Sequence, residues 1–149
     1  MRVHFFVVDE TALPEASMRQ AAELGPQAVV DAMLACAGPW GEANVSPDDY
    51  ADVFRVLGAA VGAEDFLLDM AFAGSPYLVL AGHPGPWRLG YLEASLVQHL
   101  QPVLNALAES LAAQIARLPP DANTVYLRLR QALDDAFMRH GAVAIVHAS

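Results

Sequence analysis

Between Leu92 and Leu118 lies the feature that most restricts how this chain folds. Leu92, Leu96, Leu100, Val103, Leu107, Leu111, Ile115 and Leu118 recur at three- and four-residue steps, which places them on one face of a 3.6-residue period. Gln98, Gln101, Asn105, Glu109 and Arg117 fall mostly off that stripe. Fully burying one Leu or Ile contributes roughly 1.5–3 kcal/mol, so a stripe of this length can anchor a domain. Pro102 interrupts the pattern without shifting its phase. It has no N–H, and its ring clashes with the carbonyl four residues back, which predicts a kink or a break into two helices. Pro119 and Pro120 then stop the helix.

The stretch leading into this helix reads as a buried strand over 77–81 and a turn-rich loop over 82–90. Further strands are expected at 2–8 and 142–147. The first is apolar on both faces, with Val3, Phe5 and Val7 on one side and His4, Phe6 and Val8 on the other, which predicts an interior strand. Weak helical patterns run from 11 to 37, and a loop from Gly38 to Val45 follows. Ser46, Pro47, Asp48 and Asp49 combine an N-cap residue, a proline suited to the first helical position and acids that complement the helix dipole. The helix they open faces inward through Tyr50, Val53, Phe54, Leu57 and Val61 and closes at Gly62, and a short helix over 64–72 follows. A last helix after Pro120, capped by Asp121 or Asn123, has Val125, Tyr126, Leu129, Leu133, Ala136 and Phe137 inside and ends at Arg139, His140 and Gly141. The expected architecture is a single α+β domain over 1–149: a small three-stranded sheet packed by five to six helices, with long C-terminal helices.

A chain of 149 residues builds a core without metal or disulfide staples. Cys36 is the only cysteine, which excludes an internal disulfide and a cysteine-based zinc site. Its place among Val29, Val30, Met33 and Leu34 reads as a small buried hydrophobe. No apolar run approaches the span of a bilayer. The apolar segment at the N-terminus reads as a strand, not a signal peptide, so a cytoplasmic protein is expected. All eight basic residues are Arg, against 17 acids and a formal net charge of −9. That balance disfavours nucleic acid and anionic membrane surfaces, and it suits a basic protein partner. The 55% hydrophobic content favours burial of some surface against another subunit.

Two groups of residues are candidates for function. The loop containing His83, Trp87 and Arg88 follows the expected buried strand, where contact-making residues are often displayed; the plainer alternative is a rigid turn with Trp87 folded onto the core. His83 paired with Glu93 would make a general base. The second group is Glu42, Asp48, Asp49, Asp52, Glu64, Asp65 and Asp69, an acidic face with Trp40, Tyr50 and Trp87 as exposed aromatic anchors. Its plainer alternative is a solvated surface with helix caps. The histidines show no metal-ligand spacing, and phosphate-loop, nucleophile-elbow and zinc-protease motifs are absent from the sequence. Neither a metal nor a cofactor is expected.

Gly90, Tyr91, Leu92 and Glu93 at a helix start, with the closing 141–147 strand, resemble the YfbM-like family of small bacterial proteins of unknown function. The resemblance implies no catalytic residues; it implies an interaction role such as immunity to a secreted toxin. Three readings follow. The first is a cytoplasmic acidic binding protein, of the immunity-inhibitor kind, acting on a basic protein. The second is a small hydrolase-like enzyme using His83 with a nearby carboxylate. The third is a self-associating structural protein, a homo-oligomer.

Overall fold

Seven consecutive extended residues, Arg2–Val8, form β1, and their alternation sets the two sides of the sheet. In the computed structural model the described residues are 2–12, 37–62 and 88–148, together with 20, 23, 24, 28, 31, 32 and 35, which are helical. After β1 come a 3₁₀ turn (Glu10–Ala12), β2 (Ala37–Asn44) and α1 (Pro47–Val61). They are followed by β3 (Arg88–Leu92), α2 (Ala94–Ala106), α3 (Ala108–Ile115), α4 (Pro120–Arg139) and β4 (Ala142–Ala148). The sheet is antiparallel in the order β2-β1-β4-β3. The fold is α+β.

Two of the three expected strands, β1 and β4, are in place at the centre of the sheet. The strand expected over 77–81 lies outside the described residues, as do the helix over 64–72 and most of 11–36. Two strands not anticipated, β2 and β3, flank the central pair and bring the sheet to four. Four α-helices are described in full, against the five to six expected.

β1 is covered on both faces. Val3, Phe5 and Val7 join the main core cluster, while Phe6 and Val8, pointing the opposite way, are equally hidden. Ala142 and Ala144 of β4, paired with Val8 and Phe6, are also buried. α4 lies across the other face and supplies Ala122, Val125, Tyr126, Leu129, Ala132, Leu133 and Ala136 to the core, and α1 adds Tyr50, Val53, Phe54 and Leu57. The ends of α1 match the sequence reading: Ser46 Oγ accepts from the Asp49 N–H at 3.1 Å, Pro47 is the first helical residue and Gly62 closes the helix at φ 70°.

The long helical pattern does divide, but at Leu107 (φ −101°, ψ 10°) rather than at Pro102, which sits inside α2. The Leu107 N–H still reaches the Val103 carbonyl and its own carbonyl accepts from Leu111, so the break is a kink with its bonds kept. The buried line keeps Leu100, Leu111 and Ile115 of the expected stripe but takes Val97 and Leu104 in place of Leu96 and Val103, a one-residue shift at those two positions. Leu96 and Leu107 are only partly buried on its flank, and Val103 is 44% exposed. Leu92 is also buried, but as the last residue of β3 and not as part of the helix.

This shift brings a polar row to the antiparallel contact between α2 and α4. Gln98 Nε2 donates to the Phe137 carbonyl at 3.0 Å and Gln101 Nε2 to Asp134 Oδ1 at 3.0 Å. Arg130 donates to the Leu104 carbonyl at 3.2 Å, to the Tyr126 hydroxyl at 3.3 Å and to Asn105 Oδ1. A guanidinium at the last turn of α2 also meets the negative end of that helix dipole. Gln101, expected off the stripe, is therefore buried with its amide occupied.

Asn123 does not cap α4 as expected; Pro119 occupies the N-cap position. The Asn123 Nδ2 instead faces the carbonyls of Ile115, Leu118 and Pro119 at 3.0–3.1 Å; Ile115 also accepts from the Leu118 N–H and Pro119 from the Asn123 N–H, so the side chain chiefly serves the Leu118 carbonyl. At the far end of α4 the left-handed residue is His140 (φ 55°), not Gly141. The Gly141 N–H bonds the Ala136 carbonyl at 2.8 Å and the His140 N–H bonds Phe137 at 3.3 Å, which is a Schellman exit. Gly141 is needed for a different reason: a Cβ there would lie 2.8 Å from the Val8 carbonyl oxygen.

Two predictions follow from these turns, both read by chemical denaturation. Gly141→Ala lowers stability by about 1–3 kcal/mol through overpacking against β1, whereas His140→Gly raises it by about 0.5 kcal/mol by relieving a left-handed non-glycine residue. Asn123→Ala lowers stability by about 1 kcal/mol by removing the side-chain donor of the Leu118 carbonyl. Asn123→Asp, which sets a carboxylate against the same oxygens, lowers it further.

Candidate functional site

The acidic group is built from the turn between β2 and α1. Asp48 and Asp49 occupy the first turn of α1, where the positive end of the helix dipole favours them. Asp52, one turn on, is held by Arg55 at 2.7 Å, and both side chains are about half exposed. Glu42 projects from β2 beside His4, with Nδ1 to Oε2 at 3.6 Å and the carboxylate 56% exposed. Among the described residues this is the one close histidine–carboxylate pair, and it joins directly opposed residues of β1 and β2. Glu109 and Asp121 likewise stand in the first turns of α3 and α4. Among the described residues these acids stand mainly at helix starts, with Glu42 on β2 and Asp52 one turn into α1; Glu64, Asp65 and Asp69 lie outside the described residues.

Tyr50 is not a surface anchor. It is fully buried, its ring centroid lies 4.9 Å from that of Phe54, and burial pushes its hydroxyl pKa far above the ordinary value. The reason is helical phase: the cap at Ser46 fixes the start of α1, and Tyr50, Val53, Phe54 and Leu57 then all face the core.

Trp40 is the extra residue of a β-bulge. Phe5 pairs with Gly41 and Phe6 with Pro39, so one residue of β2 has no opposite number. Bulges are frequent on edge strands and beside functional sites, where they twist the strand and re-aim a side chain. Gly41 next to it takes φ 153°, and a Cβ at that position would lie 3.3 Å from Cδ of Arg128 on α4. Arg88 opens β3 opposite His147, so the end of the expected 82–90 loop is strand. Glu93 immediately precedes α2; its carbonyl accepts from Val97 at 2.9 Å and its side chain makes no capping bond. His83 and Trp87 lie outside the described residues, and with them the proposed His83–Glu93 pair.

Among the described residues no set of three or more His, Cys, Asp or Glu is placed to hold a metal ion. No helix among them is long and apolar enough to cross a membrane. Sequence reasoning missed the edge strand β2 because Gly38, Pro39 and Gly41 read as loop residues. The signal that would have found it is permissive only, since edge strands and bulges tolerate both residue types.

Substitution separates the core role of Tyr50 from the surface role of its neighbours. Tyr50→Ala lowers unfolding free energy by about 3–5 kcal/mol, while Asp48→Asn changes it by less than about 1 kcal/mol, both measured from denaturant midpoints.

No family model matches the sequence, and no curated protein or solved structure is significantly similar to it.

Proposed function

We propose that this chain is an acidic protein-binding domain, of the immunity-inhibitor kind, that engages a basic protein partner. The observation supporting this reading is how the charges are used. Arg55 and Arg139 are engaged by Asp52 and Asp135, and Arg130 is turned into the α2–α4 contact. Asp48, Asp49, Glu109 and Asp121, by contrast, have no cationic partner among the described residues. With a formal net charge of −9, the surface carries a field that attracts cations and repels polyanions.

A field of this kind acts chiefly on encounter: complementary charge raises association rates and rejects wrong partners more than it adds affinity. The exposed carboxylates at helix starts suit that role because they are fixed by the backbone and open to solvent. The bulge at Trp40, on the strand that leads into Asp48 and Asp49, gives the same surface an irregular edge for docking.

The test is affinity capture from the native host with the intact chain, followed by binding kinetics with the recovered protein. The expected result is a stoichiometric partner of basic isoelectric point, whose association rate falls steeply as salt rises and falls again in an Asp48→Asn, Asp49→Asn double variant. A partner bound equally well at all salt concentrations, or no stoichiometric partner at low salt, sinks the proposal.

A further inference from the structure

Leu127 and Met138 are 59% and 77% exposed, and both lie on α4. At 100° per residue, Leu127, Gln131, Asp134, Asp135 and Met138 share the side opposite the core residues Val125, Leu129 and Ala136, with Arg128 along one border. Arg128, Gln131, Asp134, Asp135 and Met138 line a shallow depression of about 540 Å³. It is too open to enclose a small ligand, and Leu127 and Met138 put an exposed apolar side chain toward each end of the face.

The charges on this face identify the occupant. Arg128 has no carboxylate partner among the described residues; its Nη1 donates to Gln131 Oε1 at 3.3 Å. Its Cδ, Nε and Cζ pass over Gly41, 3.3–3.9 Å from where a Cβ there would stand. Asp135 lies on the same border seven residues later, two helical turns away, and is reached from its other side by Arg139 at 3.0 Å. Gln131 stands midway.

We propose that this face of α4 pairs with the same face of a second copy of the chain, antiparallel, about a two-fold axis near Gln131. Reversal about that axis sets Arg128 of each copy beside Asp135 of the other, giving two equivalent ion pairs, and lays each Leu127 against the other copy's Met138. The surface is therefore complementary to itself, as an isologous interface requires. In a parallel pair the two-fold axis runs along the helices and carries Arg128 and Asp135 to the opposite border of the other copy, so neither ion pair forms, and a basic partner meets Arg128 as a like charge.

The experiment is sedimentation equilibrium on the intact chain over a concentration series. The expected result is a reversible monomer–dimer equilibrium in which Arg128→Glu and Asp135→Lys each weaken association by about tenfold, because each turns two attractive pairs into repulsive ones. The Arg128→Glu, Asp135→Lys double variant restores association by reversing the pair. Met138→Lys, which touches neither charge, weakens it independently, and circular dichroism confirms that each variant is folded. A wild-type chain that stays monomeric throughout, single reversals that leave the dimer unchanged, or a double variant that does not recover overturns the proposal.

Discussion

The pairing of β1 with β4 is the contact on which the rest of this structure depends. Val3 faces His147 and Val8 faces Ala142, so strands from opposite ends of the sequence form the middle of the sheet. Every other described element is a closed excursion between them: β2 pairs only with β1, and β3 only with β4. The helices then have one apolar plane to cover, formed by Val3, Phe5, Val7, Val143 and Ile145. Ladder hydrogen bonds fix where that plane lies, and burial of the side chains on it provides most of the driving force.

The helical layer is set by a polar constraint as much as by an apolar one. Leucines alone would let α2 slide or rotate on α4, since aliphatic contacts are non-directional. Gln98, Gln101 and Asn105 remove that freedom, because each finds its acceptor or donor on α4 at one register only. Arg130 adds a guanidinium at the C-terminal end of α2, with its Nε buried and without a partner. Such a directed row selects one arrangement among several of similar apolar energy.

Much of this fold was legible in the residues. The interior nature of β1 followed from apolar side chains on both faces, the start of α1 from Ser46, Pro47, Asp48 and Asp49, and the inner face of α4 from its periodicity. Less legible were features set by tertiary context. β2 is hidden by Pro39 and Gly41, which only an edge strand with a bulge accommodates. That Leu92 closes a strand while Leu100, Leu111 and Ile115 continue the stripe in helices is a boundary periodicity does not report. Tyr50 illustrates the limit for sites: periodicity placed it on the inner face of α1 while its acidic neighbours suggested a contact residue, and its burial decides for the first. The dipole role of Asp48 and Asp49 was legible as well, but the pairing of Asp52 with Arg55 and of Glu42 with His4 required coordinates. The loop residues His83 and Trp87 are outside the described positions, so for them the sequence reading stands alone.

The central pairing has a consequence for how the polypeptide comes together. Antiparallel partners so far apart along the chain close the largest loop available, and long-range closure is entropically slow. Until it happens, both central strands expose bare edges: Val3 through Val8, apolar except for His4, and Ala142 through Val146, apolar throughout, contain no proline, carboxylate, Lys or Arg. Segments of that composition are the ones that recruit copies of themselves. The interval between synthesis and docking of the two strands is thus when the molecule is most exposed to aggregation, and when chaperone capture matters most.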